Sequence, residues 1–400
     1  MNFNEIAQVD KETLFSTYAR YPIALERGKG TKLWDSEGKE YLDLLAGIAV
    51  LPLGHCHPAV VQAVNEQTQK LMHTSNLFYT KPTIELAQCL IEMGDFHKVF
   101  LANSGTEANE GAIKLARKYQ WRKGHRNKFK IVSASHSFHG RTFAALTATD
   151  KAELKEGFDP FPDGFSTVEF NNIASLEAGI DEHTAAFLVE PVQGEGGIYA
   201  ATEEFLAAAR RKCDEHGALL IFDEIQCGIG RMGTFYAYQS FNVKPDVVTL
   251  AKALGSGMPI GAICATNEAA SGFQPGDHGT TFGGNLVCAA AASATLKVLL
   301  ENDYISKVKE LGSYFMGELQ KLQTKYPELI KDVRGKGLMI GVETNGVAQK
   351  VLPLAFSKGL ILNVTAKNVL RLLPSYIITR DEIDHAVKIF DSCFSEIVSS

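Results

Sequence analysis

From about residue 83 onward the apolar positions of this chain fall into two alternating patterns. Short segments rich in apolar and β-branched residues, the run at 218–222 the clearest, predict strands at 98–102, 130–134, 166–170, 185–189, 218–222, 247–250 and 261–265. Between them, stretches with helical spacing predict helices, first at 83–93 and then from 103–109 to about Trp121. Continuous apolar runs mark strands buried on both faces, so the pattern predicts an α/β protein. Its centre is one mostly parallel seven-stranded sheet flanked by helices.

The flanks read differently. Residues 1 to about 20 are polar with weak periodicity and predict an arm and a first helix. Residues 28–45 predict two short strands about a turn at Glu37-Gly38, and Pro58 opens a helix at 58–72. An alanine-rich helix from about Gly284 to Glu301 leads to a helix at 304–325, strands at 338–343 and 369–373, and a closing helix at 381–397. The expected division is a large domain at 56–285 and a small α+β domain built from both termini, 1–55 and 286–400.

Ligands of open α/β sheets sit outside the carboxyl ends of the strands. Asp223 and Glu224 stand at the end of the strand 218–222, and Lys252 follows the next strand in AKALGSG. An acid and an amine at neighbouring strand ends can be a plain salt bridge. Here, apolar flanks desolvate the amine and the small residues after it admit a ligand, which makes a lysine a Schiff-base nucleophile. Pyridoxal phosphate chemistry needs such a pair, a lysine for the aldehyde carbon and a carboxylate for the pyridinium nitrogen. Ser104-Gly105-Thr106 lies between a strand and a helix, where free N–H groups suit an anion and where an ordinary N-cap looks the same.

Composition narrows the field. A net charge of −6 over 400 residues gives no footprint for nucleic acid or a membrane surface. No apolar run approaches the roughly eighteen residues of a membrane span, and MNFNEIAQVDKETLF lacks the pattern of a signal peptide, so the cytoplasm is the expected location. Seven scattered cysteines suit reduced thiols. His55, Cys56 and His57 are adjacent, with no further ligands spaced to complete a metal tetrahedron. LLIFDE has no phosphate-binding G-x-x-x-x-G-K-[ST] upstream, which disfavours an ATPase. Gly228-Ile-Gly230-Arg-Met-Gly233 has the letters of a dinucleotide fingerprint but lies beyond its strand, ahead of TFYAYQSF.

The segments YPIALERGKGTKLWDSEGKEYLDLLAGIAV, LGHCHP, NSGTEANE, SFHGRT, EPVQGEGG, FDEIQCGIGRMGTF, AKALGSGMPIGA and TTFGGN span nearly the whole chain. In these segments and their order the sequence resembles the class III (subgroup II, fold type I) pyridoxal-phosphate aminotransferases, within them the acetylornithine branch. The resemblance implies a ping-pong enzyme carrying pyridoxal 5'-phosphate on Lys252. It would move the δ-amino group of N2-acetyl-L-ornithine to 2-oxoglutarate, giving N-acetyl-L-glutamate 5-semialdehyde and L-glutamate, a step of arginine biosynthesis.

By the same resemblance, Lys252 also shuttles the proton and Asp223 partners the ring nitrogen. Ser104, Gly105 and Thr106 hold the phosphate, joined by Thr281 from the other subunit of a homodimer. Phe138 and Ile225 cover the two ring faces, and Gln226 bonds the phenolic oxygen. Arg141 anchors a substrate carboxylate, while Glu195 and Arg371 form a gate that opens for the α-carboxylate of glutamate or 2-oxoglutarate. Tyr18 lies near the substrate's α-amine. Ile48 stands where ornithine enzymes tend to carry tyrosine, leaving room for an N-acyl group. Ornithine, succinylornithine, succinyl-diaminopimelate and 4-aminobutyrate are the alternative donors. A non-catalytic regulatory protein on the same fold is the alternative of a different class, disfavoured by intact Lys252, Asp223, Arg141 and Glu195. Leu51-Pro52 and Leu286 depart from the family's usual text.

Overall fold

The computed structural model describes residues 1–399. Its central sheet has seven strands in the order Lys98–Ala102, Gly261–Ala265, Val247–Leu250, Leu219–Asp223, Thr184–Val189, Lys130–Ala134 and Phe165–Val168. Neighbours from Val247–Leu250 to Phe165–Val168 pair in parallel, whereas Gly261–Ala265 opposes both strands beside it. The reason is visible in the central strand. Leu220 and Phe222 join one hydrophobic cluster and Leu219 and Ile221 the other, so successive side chains feed two cores on opposite faces. Strand bounds differ from the expected ones by at most a few residues.

Helices cover both faces. Gly105–Arg122 turns nine residues into the core, with Ser104 as N-cap accepting from the Glu107 N–H at 3.3 Å. Glu203–His216 connects Thr184–Val189 to Leu219–Asp223, as a crossover between parallel strands requires. Leu286–Glu301 and Tyr304–Lys325 lead to a second sheet in the order Ile330–Lys336, Met339–Thr344, Val369–Leu372 and Asn363–Thr365. The closing helix is Arg380–Val398.

The N-terminal segment holds three strands, Leu25–Lys29, Lys32–Asp35 and Glu40–Asp43, where the pattern predicts two. The extra turn falls at Gly30, whose φ of 59° suits a residue without a Cβ. Leu360–Ile361 adds a parallel fourth strand from the far end of the chain, so the two termini share one sheet.

Directly after this sheet, Ala46, Gly47, Ile48 and Ala49 all take left-handed backbone angles, with φ of 48°, 65°, 63° and 63°. Three of the four carry a Cβ, and each pays roughly 1–2 kcal/mol for that hand. Their surroundings hold them there. Asp43 Oδ1 accepts from the N–H groups of Leu45 and Ala46 at 2.8 and 2.9 Å, and Asp43 Oδ2 lies 2.7 Å from His55 Nε2. The turn ends at Val50, back in the right-handed region.

Candidate active site

The carboxyl ends of the central strands open into a cavity of about 410 Å³. Asp223, the last residue of Leu219–Asp223, is 3% exposed and faces it. Its Oδ2 accepts from Asn109 Nδ2 at 2.7 Å and lies 2.8 Å from His139 Nδ1, and its Oδ1 accepts from the Ile225 N–H at 3.1 Å. A carboxylate offers no proton to the ring, so Nδ1 is the protonated nitrogen of His139. Asn109 is oriented in turn: its Nδ2 also donates to the His139 carbonyl at 2.7 Å, and its Oδ1 accepts from Thr249 Oγ1 at 2.7 Å.

Lys252 follows Val247–Leu250 and also lines the cavity, with its backbone at a φ of 40°. Burial holds its amine below the usual lysine range, although the carboxylates of Glu195 and Asp223 pull the other way. The second strand-end acid, Glu224, turns away from the cavity. Its carboxylate accepts from the N–H groups of Ala237 and Tyr238, and burial pushes its pKa up to about 8.

At one end of the cavity the chain passes from Lys98–Ala102 into Gly105–Arg122, presenting the helix start at Ser104, Gly105 and Thr106. A Cβ on Gly105 would come within 2.8 Å of the Ile225 side chain, so this backbone stays bare and close to its neighbours. Thr106 Oγ1 accepts from the N–H groups of Arg141 and Thr142 at 3.2 and 3.3 Å, which fixes the SFHGRT loop beside the helix start. Glu190 ties that loop to the next: its Oε2 accepts from the Phe138 N–H at 3.0 Å and its Oε1 from the Gly194 N–H at 3.2 Å. Burial pushes Glu190 up to about 7, with His139 opposing.

Behind Gln226 lies an ion pair. Arg371, on Val369–Leu372 and 1% exposed, binds the Glu195 carboxylate through Nη1 and Asn363 Oδ1 through Nε at 3.1 Å. Its Nη1 also stands 3.4 Å from Gln226 Oε1. Burial raises the Glu195 pKa, yet Arg371 more than offsets this and the net shift is downward.

Residues 15–394 match the family Aminotransferase class-III. The chain belongs to the class III aminotransferases. It is 48% identical to the acetylornithine aminotransferase of Caldanaerobacter subterraneus subsp. tengcongensis, over 97% of this chain and 98% of that one. With the acetylornithine aminotransferase of Methanocaldococcus jannaschii it shares 46% over the same proportions. The solved ornithine aminotransferase from Toxoplasma gondii ME49 superposes with a TM-score of 0.96 at 32% identity, over 100% of this chain and 96% of that one. Acetylornithine aminotransferase from Elizabethkingia anophelis superposes with a TM-score of 0.89 at 34% identity, over 99% and 100%.

The cofactor of this class III aminotransferase is pyridoxal 5'-phosphate, and the cavity fits it. A buried amine, a carboxylate held by three donors and a bare helix start line the same space. Phe138, Ile225, Gln226 and Arg141 line it as well. Glu195 and Arg371 form an ion pair and sit outside the lining. Three of the expected residues lie apart from this cavity within one chain, Thr281 being the one expected to reach it from a second copy. Tyr18 is 76% exposed and away from the cavity, Thr281 is exposed on a separate surface, and Ile48 packs against the core. Past the left-handed turn, Val50 lines the cavity.

Asn109, His139, Thr249 and Glu190 were not assigned roles from the sequence. His139 sits inside SFHGRT and Asn109 one helical turn beyond Gly105, so position in a motif was the available signal.

Proposed function

We propose that the chain is an acetylornithine aminotransferase, moving the δ-amino group of N2-acetyl-L-ornithine to 2-oxoglutarate. The observation that carries this reading is the meeting of Lys252, Asp223 and the start of Gly105–Arg122 in one cavity. The acetyl donor is supported by relatives of that name at 46–48% identity along nearly the whole chain.

Pyridoxal 5'-phosphate, when bound, supplies an electron sink for the charge left as a C–H bond breaks. The N–H groups at Ser104, Gly105 and Thr106 hold its phosphate, aided by the helix dipole. Asp223, fixed by Asn109 and His139, accepts the ring N–H. Phe138 and Ile225 flank the ring, and Gln226 donates to its phenolic oxygen. The Lys252 amine, kept neutral more easily by its lowered pKa, takes the proton from the donor's δ-carbon. In the second half-reaction it delivers one to the α-carbon of 2-oxoglutarate. Arg141 grips the donor's carboxylate bidentately. Glu195 masks Arg371 while the donor is bound and releases it to the α-carboxylate of 2-oxoglutarate.

The enzyme works as a homodimer in which Thr281 of a second copy completes the phosphate site. The exposure of Thr281 supports this, as do the bare apolar side chains of Tyr79 and Leu77, 100% and 88% exposed, with Phe282 beside Thr281. A cytoplasmic location agrees with the seven free thiols, and no helix among the described residues is long and apolar enough to cross a membrane.

The test is glutamate formation from 2-oxoglutarate with N-acetylornithine, ornithine, succinylornithine and 4-aminobutyrate as donors. N-acetylornithine is expected to lead in kcat/KM by about tenfold or more over ornithine. The superposition on the Toxoplasma gondii enzyme favours ornithine as the second reading. A lead for ornithine would overturn the donor, and no glutamate from any donor would overturn the transfer.

A further inference from the structure

Arg231 is fully buried, and no carboxylate pairs with it among the described residues. Its Nη1 donates to two carbonyl oxygens, Leu338 at 3.0 Å and Pro374 at 2.5 Å, and its guanidinium lies 4.6 Å from the centre of the Tyr376 ring. Its Nε and Nη2 have no hydrogen-bond partner. Burying a guanidinium on such terms is costly, and apolar side chains of similar volume often fill such places with no loss of stability. Stability alone therefore does not account for an arginine here.

The place of the two carbonyls suggests what does. Met339–Thr344 and Val369–Leu372 are antiparallel, with Ile340 opposite Leu372 and Gly341 opposite Arg371. Continuing that register by two residues puts Leu338 opposite Pro374. A single nitrogen of Arg231 thus closes the ladder beyond its last regular pair, at Pro374, three residues from Arg371. The backbone joins in: the Leu338 N–H donates to the Arg231 carbonyl at 3.1 Å, and a Cβ on Gly337 would lie 2.5 Å from that oxygen. Tyr376 adds a hydroxyl donated to the Ile229 carbonyl at 2.8 Å. The loop that carries Arg231 begins at Asp223 and includes Gln226, whose Oε1 stands beside Arg371 Nη1.

We propose that Arg231 is a positioning residue: by clamping Leu338 to Pro374 it fixes the strand bearing Arg371 against the Asp223–Arg231 loop, and so sets the site for the α-carboxylate of 2-oxoglutarate. The inference rests on the reading of Arg371 as that carboxylate's partner. It assigns Arg231 to one half-reaction, because the N-acetylated donor is gripped by Arg141 on another loop.

The experiment compares wild type, Arg231→Met, Arg231→Lys and Arg371→Ala as holoenzymes, measuring KM for 2-oxoglutarate and for N-acetylornithine. Methionine fills the space and removes the donor; lysine restores one. Arg231→Met is expected to raise KM for 2-oxoglutarate by about tenfold or more, with KM for N-acetylornithine within about twofold, and Arg231→Lys to recover part of the loss. Equal movement of both KM values, or of neither, overturns the clamp. If the methionine variant does not fold, the lysine variant decides by the same split in smaller degree. Arg371→Ala separates the two ideas. A raised KM for 2-oxoglutarate there with none in the Arg231 variants refutes Arg231 alone, whereas an unchanged KM in Arg371→Ala overturns the reading of Arg371 and the clamp with it.

Discussion

Asp223 shows how much of an acid's behaviour is set by groups one step away. Its Oδ2 is shared between Asn109 Nδ2 and His139 Nδ1, so that loss of either donor leaves the carboxylate free to turn from the ring nitrogen it is proposed to serve. A hydrogen bond to a charged group contributes roughly 1.5–3 kcal/mol, which corresponds to about tenfold to a hundredfold in affinity. His139→Leu is therefore expected to weaken cofactor binding by about that factor, measured by fluorescence titration of the cofactor-stripped protein. An unchanged dissociation constant would show that Asn109 and the Ile225 N–H hold Asp223 unaided. Glu190 makes a second prediction at this scale. An unfolded glutamate titrates near pH 4.3, and burial moves the folded one up to about 7. Folding then takes up a proton between those values, so the contribution of Glu190 is full below the lower pH and lost as the pH rises through the upper one. Glu190→Gln is expected to flatten the fall in melting temperature between about pH 5 and 7, by at most roughly 3 kcal/mol in stability terms. Parallel melting curves for the two proteins would refute this.

Among the elements, what the sequence makes legible follows hydrophobic contrast. The strands Thr184–Val189, Leu219–Asp223, Val247–Leu250 and Gly261–Ala265 stand out most because both of their faces are buried and their residues are almost all apolar. Glu203–His216 lies between two of them and escapes the pattern, since its buried positions include Ala208, Ala209 and Cys213 amid charged neighbours. Its caps, Thr202 and Gly217 at a φ of 58°, were the signal that could have found it. Ile330–Lys336 is missed for the opposite reason, its charged residues sitting on a half-exposed strand. The turn Ala46–Ala49 is illegible in principle, because three of its residues have no preference for the left-handed region and take it only under tertiary restraint. The same physics can be tested where no site intervenes. Ala366 and Lys367 join Asn363–Thr365 to Val369–Leu372 with φ of 44° and 67°, both exposed. Lys367→Gly places a residue there that adopts this conformation without a steric penalty, and is expected to raise stability by about 1 kcal/mol. A lower midpoint of denaturant unfolding would mean that the lysine side chain outweighs the backbone strain.

For the molecule as a whole, the decisive question is which chain supplies Thr281. Within one chain it lies on a surface apart from the cavity, next to exposed Phe282, although TTFGGN is one of the segments that identify the family. The proposed twofold dimer would resolve this, because an interface built from the same patch on both copies would carry each Thr281 across to the other's phosphate site. The arrangement makes a prediction that no single-chain site can imitate. Lys252→Ala disables the amine of its own cavity, and Thr281→Asp sets a carboxylate against the phosphate of whichever cavity Thr281 reaches. Each variant alone is expected to be nearly inactive. When the two are unfolded together and refolded as a mixture, half of the dimers are mixed. If Thr281 acts across the interface, each mixed dimer has one cavity with both faults and one with neither, so that about a quarter of wild-type activity returns. If Thr281 serves its own chain, every cavity carries one fault and mixing restores nothing. The recovery is measured as glutamate formed per total subunit, with each variant refolded alone as the control. The outcome bears on Thr281 and the dimer only, since the wild-type enzyme sets the scale whatever its preferred donor.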